Sequence, residues 1–128
     1  MTQPPVPTNA ELEILGILWQ HGPQTVKQVH EFIRETRDVG YTTVLKLMQL
    51  MTEKGLLERD ESERSHVYAT LVPEKNVKRK LVSDLVDRAF AGSAASLVQQ
   101  LLSAKRASPE ELDEIRAILD EHKKRGGK

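Results

Sequence analysis

The chain has 128 residues, 38% of them hydrophobic and 30% charged, with 19 basic groups against 19 acidic ones. That is room for one domain, or for one small domain with an appendage; a piece of roughly 60–70 residues buries only about 60% of its unfolded-chain surface, so two such pieces are marginal unless the chain oligomerises. No cysteine is present, which excludes disulfides, thiolate nucleophiles and cysteine zinc sites, and no apolar run approaches the roughly 20 residues that span a bilayer. Met1 to Asn9 lacks the basic and apolar regions of a leader. A soluble, cytoplasmic protein with no membrane partner is expected.

Residues 1–7 are proline-rich and read as a loose arm. Thr8 and Glu11 then make a capping box, in which the hydroxyl accepts from the backbone three residues on and the carboxylate reaches back to the cap N–H. The first helix opens there, with Leu12, Leu15, Leu18 and Trp19 on one stripe, and closes at Gly22-Pro23. Thr25 and Gln28 repeat the box ahead of a second helix whose Val26, Val29, Phe32 and Ile33 share a face. After the turn Asp38-Val39-Gly40, Val44, Leu47, Met48 and Met51 recur at helical spacing until Gly55. Leu56–Arg59 and Val67–Leu71 then suit two strands of a hairpin with a polar tip. Three helices followed by such a hairpin is the winged helix-turn-helix order.

From Pro73 the pattern is helical throughout. Val77, Leu81 and Leu85, with a parallel row of Val82, Val86 and Ala89, mark a long fourth helix ending near Phe90 and Gly92. Leu97, Val98, Leu101 and Leu102 mark a fifth, and Ser108-Pro109-Glu110-Glu111 opens a sixth carrying Leu112, Ile115, Ile118 and Leu119. The predicted fold is mainly α with a small β-hairpin. A winged helix-turn-helix domain over 8–72 precedes a helical dimerisation domain over 73–122, and 1–7 and 123–128 are flexible termini. A segment of about 50 residues cannot bury all this apolar surface internally. Val77, Leu81, Leu85, Val86, Leu97, Leu101, Ile115 and Leu119 are therefore expected to meet a second copy of the chain.

The polar side of the third helix is the first place to look for chemistry. Thr42, Lys46, Gln49 and Glu53 are spaced so as to face away from the apolar stripe, with Tyr41 and Thr43 beside them at the helix start. Short hydroxyls and a cation in the first turns are what a major-groove helix needs to reach base edges, while its N-terminus approaches a phosphate. A merely solvent-facing helix with Thr42 as its cap would look similar. Arg59, Arg64 and His66 are the basic groups of the hairpin and suit phosphate contacts of a wing; the interleaved Glu58, Asp60, Glu61 and Glu63 equally suit a solvated turn. Residues 1–72 hold seven basic against ten acidic groups, a net charge of −3, which opposes DNA binding unless the cations gather on one face.

Enzymatic readings find less support. The four histidines, His21, His30, His66 and His122, lack metal-ligand spacing and read as isolated surface groups. No glycine-rich phosphate loop, Gly-x-Ser-x-Gly elbow or His-Glu-x-x-His motif is present. The acids at 110, 111, 113 and 114 sit in a helix first turn, where they complement the macrodipole. Neither catalysis nor a cofactor nor a metal is expected.

The order of Leu15-Gly16-Ile17-Leu18-Trp19, Gly40-Tyr41-Thr42-Thr43-Val44, Lys54-Gly55-Leu56-Leu57, Tyr68-Ala69-Thr70-Leu71 and Gly92 with Ser96-Leu97-Val98 resembles the BlaI/MecI/CopY penicillinase-repressor family over about Asn9 to Leu119. The resemblance implies a winged-helix DNA-binding domain, a helical dimerisation domain and repression at a palindromic double-stranded operator. Two departures bear on how repression would be relieved. Where penicillin-responsive members carry a cleaved Asn-Phe bond this chain has Gln100-Leu101, so an antirepressor protease is not supported; the cysteine motif of the copper-responsive members is absent too. The rival from another class is a winged-helix protein-interaction module without a DNA role, which the −3 charge of the N-terminal part favours.

Overall fold

Residues 6–126 are described by the computed structural model, so residues 1–5 of the expected arm and the last two of the expected tail lie outside it. The order is α1 (Asn9–His21), β1 (Gln24–Thr25), α2 (Val26–Arg34), α3 (Tyr41–Glu53), β2 (Leu57–Asp60), β3 (Val67–Thr70), α4 (Glu74–Ala89), α5 (Ala94–Ser103) and α6 (Pro109–Lys124). Mostly helix with a small antiparallel sheet, this is the expected fold class. The chain divides into two compact units, one ending at Leu81 and the other beginning at Val82, so the division falls inside α4.

Local sequence explains the helix starts. Thr8 and Thr25 each form a complete capping box, with Glu11 and Gln28 as the returning partners. Ser93 caps α5 by accepting from Ser96 N–H. Ser108 caps α6, its Oγ accepting from Glu111 N–H at 3.1 Å, with Pro109 as the first helical residue. Gly22 and Gly55, at φ 81° and 84°, take the left-handed positions that end α1 and follow α3.

The core of the first unit gathers Ile14, Leu15 and Leu18 from α1, Val26, Val29 and Ile33 from α2, Val44, Met48 and Met51 from α3, and Leu56, Leu57 and Tyr68 around the hairpin. Here the expected stripe on α1 needs correction. Leu12 and Trp19 are only partly buried, while Ile14 is fully buried and the fourth member of the true stripe is Glu11, 2% exposed. A carboxylate holds that position because Lys54 Nζ lies 2.6 Å from Glu11 Oε2 and Thr8 N–H donates to Glu11 Oε1 at 2.9 Å. Leu47 and Phe32 are likewise half-buried rather than central.

The sheet order is β1-β3-β2, with both pairings antiparallel. The hydrophobic pattern gives no sign of β1: it is two residues long, and Thr25, its second residue, is also the cap of α2. It pairs Gln24 with Tyr68 and Thr25 with Val67, which ties the start of α2 to the wing. In the other pairing Arg59 stands opposite Tyr68. The tail differs from expectation as well, since α6 continues through Lys124.

Candidate nucleic-acid interface

The start of α3 is open. Its cap residue is Gly40, which has no side chain to offer, and no side-chain hydrogen bond caps the helix. Thr42 is therefore not the cap, and its hydroxyl, like that of Thr43, is exposed within the first turn, where backbone N–H groups lack intrahelical acceptors. Lys46 and Gln49 are exposed on the turns that follow, while Val44, Met48 and Met51 hold the opposite face in the core. The loop before α3 is fixed by His30, whose Nε2 is 2.7 Å from Val39 O and whose ring meets the Tyr41 ring edge-on at 5.9 Å. His21 stacks on Phe32 at 4.1 Å. These two histidines are thus structural rather than isolated surface groups, because each imidazole lies against a ring of the helix-turn-helix.

The wing tip spans Glu61 to His66, and Ser62 N–H donates to Asp60 Oδ1 at 2.9 Å to start the turn. That bond holds the Asp60 carboxyl below the usual range. Arg64 and His66 come forward to a cleft of about 230 Å³ that Tyr41, Leu45 and Tyr68 also line. The cleft is closed on its third side by Thr25 and Lys27, at the start of α2. Lys27 is the site residue that sequence reasoning missed. The signal was available, since the Thr25 box puts residue 27 in the first turn of α2, but only the Gln24–Tyr68 and Thr25–Val67 pairings bring that turn beside the wing.

Arg59 is placed differently. It lines a separate hollow with Glu58 and Asp60. The Tyr68 hydroxyl and the Glu61 carboxylate near its guanidinium raise its pKa above the usual arginine value, and Glu61 Oε2 accepts from Arg59 Nε at 2.7 Å. The Nη2 to Glu61 Oε2 separation is 2.6 Å, so its charge is already matched. Electrostatics elsewhere in this unit follow the same logic. Glu13 pairs with Arg37 at 2.8 Å and Glu11 with Lys54 at 2.6 Å, each matching one acid with one base and leaving the net charge of −3 unchanged. Burial pushes the Glu11 carboxyl up, but the Lys54 hydrogen bond, the Thr8 N–H and the Lys54 charge outweigh it and leave the pKa lowered. Among the described residues, Lys27, Lys46 and Arg64 have no ion-pair partner.

In the other unit the arrangement is apolar and open. No residue of α4, α5 or α6 is buried. Of the residues expected to meet a second copy, Val77 and Leu81 belong to the first unit, where Leu81 borders a hollow with Leu12 and Trp19; these two, Val86, Leu97 and Ile115 are half-covered, and Leu85, Leu101 and Leu119 are exposed. Val82, Val98, Leu102, Leu112 and Ile118 are exposed as well, Ile118 at 64%. Gln100 and Leu101 lie in α5. No helix among the described residues is long and apolar enough to cross a membrane, and none of them form a group of three or more His, Cys, Asp or Glu that could hold a metal ion.

Comparison with known proteins adds a family to this geometry. The penicillinase repressor of Bacillus licheniformis is 26% identical over 125 residues, covering 98% of each chain. The transcriptional regulator BlaI of Mycobacterium tuberculosis is 31% identical over 113 residues, covering 87% of this chain and 80% of that one. Among solved structures, the monomeric form of Bacillus licheniformis BlaI in complex with the blaP half-operator shares the fold at a TM-score of 0.51 and 24% identity, covering 59% of this chain and 93% of that one. With an uncapped, hydroxyl-bearing α3 beside a wing tip that carries Arg64 and His66, and with residues 7–121 matched by the penicillinase repressor family model, the chain belongs to the penicillinase repressor family.

Proposed function

We propose that the chain is a homodimeric transcriptional repressor of the cytoplasm that occupies a palindromic operator. The observation that carries this reading is the exposed arc of α3, where Thr42, Thr43, Lys46 and Gln49 stand clear of the core on a helix whose first N–H groups are uncapped. In the major groove these side chains reach base edges, with Lys46 suited to guanine O6 and N7 and Gln49 to adenine N6 and N7. Tyr41, Lys27, Arg64 and His66 border the cleft beside that helix and suit the phosphate strand, where contacts set register without reading sequence. Arg59 serves the wing from within, holding Glu61. The similar BlaI fold solved in monomeric form on a half-operator supports one winged-helix unit per half-site.

Residues 8–72 are the DNA-binding part of this proposal and 73–122 the dimerising part. The open apolar faces of α4, α5 and α6 support a two-fold interface, which spaces two α3 helices one or more turns of DNA apart. Repression is then occupancy of the site against polymerase. A gel-shift titration on the DNA upstream of the chain's own reading frame, at two salt concentrations and against a scrambled duplex, tests it. A sequence-selective complex that weakens steeply with salt is expected. Equal or absent binding to the two duplexes would instead favour the protein-interaction module.

A further inference from the structure

Along the exposed arc of α3 one large apolar side chain interrupts the polar ones. Leu50 is 43% exposed, although Val44, Met48 and Met51 on the same helix are 2% exposed or less. At 100° per residue it falls between Lys46, four residues earlier, and Thr43, seven residues earlier, so it belongs to the presented face, on the Thr43 side of Lys46. Folding gains little from an apolar group left there. Contact with a partner that carries an apolar group at the matching depth would gain more. The major groove offers one such group at base-edge depth, the C5-methyl of thymine, which distinguishes T·A from the other pairs by apolar contact alone.

We propose that Leu50 reads a thymine methyl group and so fixes part of the operator sequence. The inference rests on α3 entering the major groove. Helical rise places Leu50 about 6 Å along the axis from Lys46, and bases along one strand are about 3.4 Å apart. The thymine is therefore one or two base steps from the base that Lys46 reads. Since two copies bind a dyad, each half-site carries one such thymine.

The test uses the full chain and duplexes that it enriches from a randomised pool. Each thymine of an enriched duplex is replaced singly by deoxyuridine, which removes the methyl group and leaves base pairing intact. At one thymine per half-site the replacement should weaken wild-type binding about fourfold, the effect of one lost methyl-sized contact, while Leu50→Ala and Leu50→Gln should be indifferent to it. Thermal melting of both variants should match wild type, because the position is exposed. If wild type and variants lose the same factor at every thymine, Leu50 does not read a methyl. A loss of discrimination in Lys46→Ala would then still uphold α3 as the reading helix. If no duplex is enriched, the major-groove reading itself falls and this proposal with it.

Discussion

The two units of the chain bury their apolar residues in different ways. Up to Leu81, twelve side chains from three helices and the hairpin form one cluster, each 6% exposed or less. From Val82 on, α5, α6 and the second half of α4 have comparable apolar stripes, yet no side chain in them is buried. The first unit meets the requirement of a folded domain by itself, whereas the second leaves Leu85, Leu101, Ile118 and Leu119 between 46% and 64% exposed. Under the proposed function a second copy of the chain covers these patches. The contrast teaches that stability of one part and assembly of the other are separable properties of this sequence.

Substitutions can break that contrast from either side. Leu119→Asp should have the largest effect, because burying a leucine contributes roughly 1.5–3 kcal/mol and a two-fold interface counts each loss twice. Sedimentation at micromolar concentration should show dimers for wild type and monomers for the variant, with the first unit still folded and tight operator binding lost. A wild-type monomer would remove both the dimer and the palindromic mechanism. Met48→Ala, at a fully buried site of α3, should cost about 2–5 kcal/mol of folding stability. Its midpoint shift in urea should be independent of protein concentration, unlike that of the assembly variant.

Much of this architecture was readable in the sequence, for reasons that differ from element to element. Helix starts carry short-range chemistry, so the boxes at Thr8 and Thr25 locate α1 and α2. The apolar repeat of α3 holds because Val44, Met48 and Met51 do face the core. Where a polar group takes a core position, periodicity misleads: Glu11 displaces the stripe of α1 by one residue, because its partner Lys54 is 43 residues away in sequence. β1 was invisible for a related reason, since two residues carry no period and their pairing to Tyr68 and Val67 is long-range. The candidate site divides in the same way. The exposed arc of α3 follows from spacing within one helix, but the addition of Lys27 and the internal use of Arg59 depend on the sheet register.

Within the first unit, reading and folding can also be separated. Lys46→Ala should weaken binding to the specific duplex by about 1–3 kcal/mol while leaving non-specific affinity nearly unchanged. It should not alter the melting temperature, because Lys46 is exposed and forms no ion pair among the described residues. An unchanged ratio of specific to non-specific affinity would mean that α3 does not read bases through this residue. Glu11→Gln acts on the fold instead, and should cost about 1–2 kcal/mol at neutral pH, since it removes the charge that Lys54 meets. Against the effect of burial, the Lys54 ammonium and the Thr8 N–H hold the folded Glu11 carboxyl below its ordinary value of 4.5. Its contribution is therefore complete above about that pH and is lost as pH falls through the lower, folded value. Urea titrations from neutral to acid pH should show the wild-type advantage shrinking over that window, and a constant difference between the two proteins would contradict the assignment.

The smallest effect sharpens the comparison between the two wing arginines. Arg64 is exposed at the tip, borders the cleft beside α3 and has no carboxylate partner among the described residues. Arg59 is in the same hairpin but is matched by Glu61 at 2.6 Å. A phosphate contact releases about one counterion, so losing it reduces the slope of log affinity against log salt by about one. Arg64→Ala should show that reduction for each half-site and should weaken specific and scrambled duplexes alike, because a phosphate contact carries no base information. Arg59→Ala should change the slope less, since removing an arginine that is already paired leaves the Glu61 charge beside the wing and alters local field more than counterion release. Affinities measured at three or more salt concentrations give both slopes. A wild-type slope in Arg64→Ala would take that residue off the phosphate strand, and an equal or larger change in Arg59→Ala would show that the Glu61 pair opens when DNA binds.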